Sequence, residues 1–479
     1  MLQEKSSEKG KNNMNKKKFL KNIGASVFVQ IISLLTSFVV SLIVPKCIDI
    51  LDYSHWQTYV LYSSYVSIFH FGLIDGFVLK YSKYNYEELD HEEVRSQLQV
   101  LLAFLTILSI VTVIFASLFF HGTIKILVCL IAVSIVVKNH YFYSGTIFQI
   151  TYRIDKYSKI TVFQRGVYLI GVAFLLLAGA KAFYWFCIAD IVGDILSGAL
   201  AIKYNKELTI GKIKSLKTTL KYMRENIKCG IVLLLANYST ALIIGAAKII
   251  GQFKWGDIVF GKISFGFSLT NLFLTFVTAI SIVLFPSLKR VDEKELPQMY
   301  SKIRMLSTSI MFLGLTFYHP VALIVNLWLP EYSESIKYML YLLPMIVFCS
   351  RTNLLTNNYL KIFMREKQMF IINFSFALIA IGAYSLFAFV FDNLVAILIS
   401  VVVVEMLKFF VSETVVCTHL KRKNLMNVLF EMLMISFFYV IMLSMKPLMA
   451  TIVYGFSSLI YVTSNYIFAK KSQLKELDE

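Results

Sequence analysis

Several ionisable side chains of this sequence stand inside otherwise apolar runs, and their types limit the chemistry they can do. In "LLPMIVFCSRTNLLTNNYLKIF" (342–363) the permanent charge of Arg351 sits amid hydrocarbon side chains, and Lys248 and Lys262 are placed alike. Arginine offers a planar fork that matches a carboxylate or phosphate, and lysine offers a compact point charge. Such groups either recognise an anion or are neutralised by a carboxylate of the same chain. Lys138, Arg165, Asp75, Asp190, Asp194, Glu405 and Lys408 pose the same choice, and Lys46 ends the first apolar run.

The pattern favours pairing at some positions and anion recognition at others. Glu405 and Lys408 are three residues apart and share a helix face, so they form a structural ion pair. Asp190 and Asp194 are expected to pair with Lys138 or Arg165. Lys248 and Lys262 have no carboxylate nearby in sequence except Asp257. Arg351 follows Pro344, which removes a backbone hydrogen bond and bends a helix. Arg351 therefore faces either a substrate or Glu405, and Lys248, Lys262 and Arg351 are the candidate substrate-binding cations. Lys138, Arg165, Lys46 and Asp75 are secondary candidates.

Other chemistry finds no support. The pattern G-x-x-x-x-G-K-[ST] is absent, so no nucleotide-hydrolysing loop is expected. Six scattered cysteines contain no C-x-x-C, and no metal site, cofactor or catalytic residue is expected. His55, His70, His140 and His319 stand alone, and Gly72 and Gly76 have the small-x-x-x-small spacing of close helix packing.

The elements that position these charges follow from composition. Of 479 residues, 57% are hydrophobic and 16% charged, with a mean hydropathy of +0.69; soluble domains lie near 45–50% and about 25%. The net charge of +18 is spread in short clusters between apolar runs rather than gathered on one soluble face. That distribution marks topology and not nucleic-acid binding. The expectation is an all-α polytopic membrane protein. A spanning helix needs about 20 apolar residues, and that length predicts fourteen spans. They lie near 19–44, 56–79, 98–119, 123–148, 160–179, 182–203, 227–250, 258–285, 303–326, 336–360, 368–391, 394–417, 426–445 and 449–469. Of the 47 Lys and Arg, 35 fall on the side of the termini, five on the other side and seven within spans. The positive-inside rule then puts both termini in the cytoplasm.

The organisation read from the chain is a basic tail (1–18), a six-helix lobe (19–203), a connector (204–226), a second six-helix lobe (227–417), helices 13 and 14 (426–469) and a tail (470–479). Six spans, a connector and six more in the same orientation permit a pseudo-two-fold along the membrane normal. In the connector Ile213, Leu216, Leu220, Met223 and Ile227 recur at helical spacing among lysines, which predicts an amphipathic helix on an anionic membrane surface.

Four segments carry a family resemblance. "TAISIVLFPSLKR" (278–290) resembles the end of the eighth span, and "LWLPEYSESIKYMLYLLP" (327–344) the loop from ninth to tenth span, of polysaccharide flippases in the multidrug/oligosaccharidyl-lipid/polysaccharide exporter superfamily. "TNNYLKIFMREKQMFIIN" (356–373) resembles their basic turn after the tenth span, and "FGLIDGFVLKYSKY" (71–84) the glycine-rich end of the second. With the fourteen spans, the resemblance to these Wzx-like flippases of O-antigen or capsule repeat units covers nearly the whole chain. It implies alternating access through a cationic central cavity. The implied cargo is an undecaprenyl-pyrophosphate-linked oligosaccharide, moved across the bacterial cytoplasmic membrane for surface polysaccharide assembly. The implied partners are that lipid-linked sugar, membrane lipids and polysaccharide polymerase machinery, with no nucleic acid. The family's cavity is lined by spans one, two, seven and eight, which favours Lys248 and Lys262 over Arg351, and its last two spans are linked to accommodating the lipid.

Two other readings stand beside this one. A multidrug or cation exporter of the same superfamily would want an acidic cavity. A polyprenyl-dependent polymerase or glycosyltransferase would want a large outer loop, and the longest here are about ten residues, "CIDILDYSHW" and "LWLPEYSES". The expectation is a transporter and not an enzyme.

Overall fold

In hydrocarbon every backbone N–H and C=O must be satisfied within the chain, so long apolar runs become helices. The computed structural model describes Gly24, residues 28–288, Asp292, and residues 294–422 and 425–478, with side chains over all but 276–287, 425–426 and 468–478. The basic tail 1–18 lies outside the described residues, as do Lys289 and Arg290 and most side chains of the segment 278–290. Among the described residues there is helix and no strand.

The helices are α1 (Phe28–Cys47), α2 (Ile50–Tyr65), α3 (Leu73–Tyr81), α4 (His91–Phe119), α5 (Gly122–Ile150), α6 (Ile154–Leu177) and α7 (Phe183–Tyr204). There follow α8 (Leu216–Leu288), α9 (Leu296–Leu315), α10 (Tyr318–Trp328), α11 (Ser333–Leu342), α12 (Met345–Arg351), α13 (Asn357–Ile362), α14 (Glu366–Ser385), α15 (Leu394–His419), α16 (Leu425–Ser444) and α17 (Pro447–Asp478). Among the described residues ten helices are long and apolar enough to cross a bilayer, and two bent pairs pass the same test when each is taken as one span. The bends are 44° between α9 and α10, and 54° between the Pro330–Leu342 and Met345–Ile362 segments, where Pro344 interrupts the ladder. The 73-residue α8 accounts for two expected spans, broken at Gly256 with φ 81° and ψ −179°. That conformation is open to glycine alone. The second expected span is α2 and α3 joined through a 3₁₀ turn, Val66–His70.

Lipid-facing stripes are plain on single helices. On α6 Ile170, Phe174 and Leu177 are exposed, while Tyr168 and Val172, on the intervening face, are buried.

The chain divides into two compact units, Met1–Tyr238 and Ser239–Glu479. The division falls inside α8 rather than at the expected connector. The reason is a glycine contact: a Cβ on Gly76 would lie 2.1 Å from the carbonyl oxygen of Asn226, and one on Gly230 would lie 2.1 Å from that of Gly72. With no side chains between them, the backbones of α3 and early α8 touch, which ties residues 216–238 to the first unit. The connector also differs from expectation. After a helical turn at Lys206–Thr209, residues 212–215 are non-helical. The helix that starts at Leu216 runs straight into the seventh span, so Ile213 lies outside it and the periodicity from Leu216 to Ile227 belongs to the leading end of α8.

Candidate functional site: buried charge networks and a groove

In the first unit the charges gather where α5, α6 and α7 pack. Lys138 of α5 holds both aspartates of α7, with Nζ 2.7 Å from Asp190 Oδ2 and 2.9 Å from Asp194 Oδ2. The phenol of Tyr59 donates to Asp190 Oδ2 at 3.1 Å, and Gln164 Nε2 donates to Asp194 Oδ1 at 3.0 Å. The two carboxylates sit one helical turn apart on one face, and α5 brings a single ammonium between them. Arg165 therefore makes no close ion pair with either aspartate: among the described residues no carboxylate lies within ion-pair distance of it, its charge acts on Asp194 only at longer range, and its Nε is enclosed without a hydrogen-bond partner. Lys46 is exposed at the end of α1. Asp75 is buried on α3 with Oδ2 3.8 Å from His70 Nε2. His70 Nδ1 accepts the Gly72 N–H at 3.1 Å, which leaves the proton of a neutral ring on Nε2, toward Asp75.

The second unit holds the answer for Arg351, and it is not the expected one. Its side chain is fully enclosed, and its Nη1 lies 2.6 Å from Glu431 Oε1 of α16 and donates to Thr308 Oγ1 of α9 at 3.2 Å. Its guanidinium carbon stands 4.0 Å from the ring centroid of Phe409, a cation–π geometry. Glu431 is shared, since Arg304 Nη2 approaches the same Oε1 at 2.9 Å. Arg304 Nε reaches Glu413 Oε1 at 2.6 Å, and Tyr300 donates to that oxygen at 2.8 Å. Two arginines and two glutamates on α9, α12, α15 and α16 thus make a net-neutral buried network. Glu405 is not Arg351's partner: it is held by Lys408 at 2.6 Å on its own helix.

The other two candidate cations differ from each other. Lys262 is not uncompensated: Glu334, at the start of α11, lies 2.5 Å from its Nζ and also accepts from Tyr338 at 2.6 Å. A residue 72 positions away supplies the carboxylate that the local sequence lacks. Lys248 is half-buried on α8 with Nζ 5.1 Å from the ring centroid of Phe267. Among the described residues no carboxylate comes within ion-pair distance of it. No contact joins Lys248, Lys262 and Arg351 to one another among the described residues.

Sequence reading missed Arg304, Glu413 and Glu431. Arg304 stands at the very start of the ninth expected span, where a basic residue reads as a loop charge, although it is buried. Glu431 is the lone charge in "LMNVLFEMLMISFFYVIMLS", a signal equal in kind to that of Arg351.

A groove of about 920 Å³ opens between α16 and α17. Phe430, Leu433, Met434, Phe437 and Ile460 give it an apolar wall, and Asn427, Ser457, Tyr461, Ser464 and Asn465 supply polar atoms. The volume is at the upper end of the range of about 300–1,000 Å³ usual for ligand sites. Glu431 follows Phe430 directly, so one face of α16 lines the groove and another is anchored in the ion network. Among the described residues no cluster of three or more His, Cys, Asp or Glu suits a metal ion.

Comparison with solved structures gives the class of fold. The chain matches the lipid II flippase MurJ in an inward closed conformation with a TM-score of 0.69 at 13% identity, over 94% of this chain and 99% of that one. It matches a multidrug resistance MATE family transporter of the MOP superfamily, inward-facing, with a TM-score of 0.61 at 12% identity, over 82% and 96%. A MOP superfamily transporter from Pyrococcus furiosus aligns with a TM-score of 0.57 at 12% identity, over 85% and 97%. No protein-family model matches the sequence, and no curated protein matches it. The protein is a multi-pass all-α membrane protein with the fold of MOP-superfamily transporters.

Proposed function

We propose that the protein is a flippase for a polyprenyl-diphosphate-linked oligosaccharide in the bacterial cytoplasmic membrane, with both termini cytoplasmic. The observation that carries this reading is the groove between α16 and α17, an apolar wall edged by amide and hydroxyl groups on the last two spans. An isoprenoid tail fits such a wall, because it has no polar group that needs a hydrogen-bond partner, while a sugar and diphosphate need polar partners throughout. The fold shared with the lipid II flippase is compatible with this reading, and the fold shared with the MATE transporter is equally compatible with an exporter.

Lys248 is assigned to the diphosphate. An ammonium at the centre of a spanning helix costs about 3 kcal/mol on insertion scales when nothing compensates it, and less toward the ends; Lys248 stands within a span beside the Phe267 ring. A phosphate oxygen would supply the missing negative charge through a short charge-assisted hydrogen bond. Lys262 and Arg351 are neutralised within the chain and take structural roles, so the proposed cationic path rests on fewer charges than the sequence offers.

A cation exporter of the same fold is the second reading, favoured by Asp75, whose buried Oδ2 has no hydrogen-bond donor. Asp190 and Asp194 do not add to it, since Lys138 already compensates them.

The test is transport in proteoliposomes of a synthetic polyprenyl-diphosphate oligosaccharide with a fluorescent sugar, read by an impermeant quencher. The wild type is expected to equilibrate the lipid across the bilayer. Lys248→Ala should slow this by about tenfold, the equivalent of 1.4 kcal/mol, or more, and Leu433→Trp, which fills the groove, should do the same. A wild type that leaves the labelled lipid in place but moves an ethidium-like cation would replace this reading with the exporter.

A further inference from the structure

The connector between α7 and α8 is fixed in place, and what it presents to its surroundings is unlike a solvated loop. Arg95, on the first turn of α4, donates Nη1 to the carbonyl of Glu207 at 2.5 Å and Nε to that of Lys212 at 2.7 Å, with Nη2 on the latter as well. Gln99 Nε2 donates to the Thr209 carbonyl at 2.9 Å, and Ser96 Oγ accepts the Lys214 N–H at 2.8 Å. Gly211 permits this clamp, because its φ is +145° and a Cβ there would lie 2.9 Å from Arg95 Cζ.

Clamped this way, the segment sorts its apolar side chains into two sets. Leu208 and Met223 are buried, at 0% and 9% exposure, and join the core of the first unit. Ile210, Ile213, Leu216 and Leu220 stand out at 58%, 51%, 62% and 50%. Four large apolar side chains exposed within eleven residues form a ridge that water does not favour. Around it Lys206, Lys212, Lys217, Lys221 and Arg224 are exposed too. Residues 203–228 carry eight Lys or Arg against two Glu.

We propose that this ridge is a docking surface for anionic phospholipid, with Ile213, Leu216 and Leu220 entering the headgroup–acyl boundary and Lys212, Lys217 and Lys221 on the phosphates. Charge complementarity selects the occupant. An apolar ridge alone would suit a second protein copy, but a copy would bring the same lysines against it, whereas the leaflet beside the basic loops is the negatively charged surface within reach. The inference does not depend on the transported substrate.

The test places an environment-sensitive fluorophore on Ile213→Cys or Leu220→Cys of the full chain, with exposed Cys47 and Cys229 replaced by serine. The labelled protein is compared in phosphatidylcholine nanodiscs and in phosphatidylglycerol-containing ones. The proposal expects a blue-shifted emission, protected from an aqueous quencher, that deepens with phosphatidylglycerol and is reversed by salt, which screens charges beyond about 8–10 Å near physiological strength. The triple variant Lys212→Gln/Lys217→Gln/Lys221→Gln should lose the lipid dependence while the fold, checked by gel filtration, is kept. Quenching equal to that of free dye in both nanodiscs would overturn the proposal. So would protection independent of lipid charge, or protection in detergent that grows with protein concentration, the mark of a second copy.

Discussion

Arg351 and Glu431 offer the sharpest check on the second unit. Glu431 is Arg351's carboxylate at 2.6 Å and is also reached by Arg304 at 2.9 Å, while Arg304 keeps Glu413 at 2.6 Å. The network is therefore asymmetric. Glu431→Gln strips the compensating charge from an arginine with no exposed surface and leaves the remaining network at net +1. Breaking a buried pair from one side costs about 3–5 kcal/mol, because the partner stays behind uncompensated. Arg351→Met leaves Glu431 with Arg304 and should cost less. In the double variant the Arg304–Glu413 pair survives intact and neutral, and most of the loss should be recovered, giving a coupling of about 2–3 kcal/mol from the same principle. The assay is reversible unfolding of the purified protein in lipid discs by a denaturant series, with all four members of the cycle expressed and matched. A parallel cycle for Arg351 and Glu405 should be additive within about 0.5 kcal/mol, since Lys408 holds Glu405. If the coupling appears with Glu405 and not with Glu431, the reasoning from this network fails.

Two further outcomes follow from the first unit. Gly76→Val places atoms where the Asn226 carbonyl oxygen would already lie 2.1 Å from a Cβ; overpacking of this kind costs about 1–3 kcal/mol. Limited proteolysis should show residues 216–238 released first, whereas Gly166→Val, where a Cβ meets nothing within 4 Å, should not do so. The Asp90–Lys214 ion pair makes the connector clamp pH-dependent. Partial burial pushes the Asp90 carboxyl up, but the hydrogen bond from Lys214, the backbone N–H of Glu93 and the lysine's charge outweigh it and hold it below the ordinary range. The hydrogen bond to Asp90 raises Lys214 in turn. A depressed carboxyl contributes stability that is complete above its unfolded value, about 3.9, and disappears as pH falls through the lower folded value. Amide exchange at residues 207–214 should thus accelerate at the acid end, below about pH 4, in wild type, and Asp90→Asn should be fast at every pH and lack that acid limb.

What the sequence makes legible here is what one residue and its helical neighbours decide. Apolar run length fixes helix, so each expected span falls on helix where the chain is described, and a three-residue spacing is enough to pair Glu405 with Lys408. Lys262 and Arg351 show where local reasoning ends. Their carboxylates, Glu334 and Glu431, come from 72 and 80 residues away, and only packing decides which distant helix supplies the counter-charge. The same holds for Lys138, which takes both aspartates and leaves Arg165 a close pair with neither. Energetics explain why these pairings were settled by the fold rather than by the local pattern. A buried charge is so costly that a compact unit brings in whichever carboxylate its helices allow, and neutrality is reached for the network as a whole. Arg304, Arg351, Glu413 and Glu431 sum to zero although no two of them are close in sequence. It follows that an ionisable residue in an apolar run is by itself weak evidence of a substrate site. The stronger evidence is a charge left without a close carboxylate after packing, and among the candidate cations that criterion singles out Lys248; Arg165 also makes no close ion pair, but its charge still acts on Asp194 at longer range.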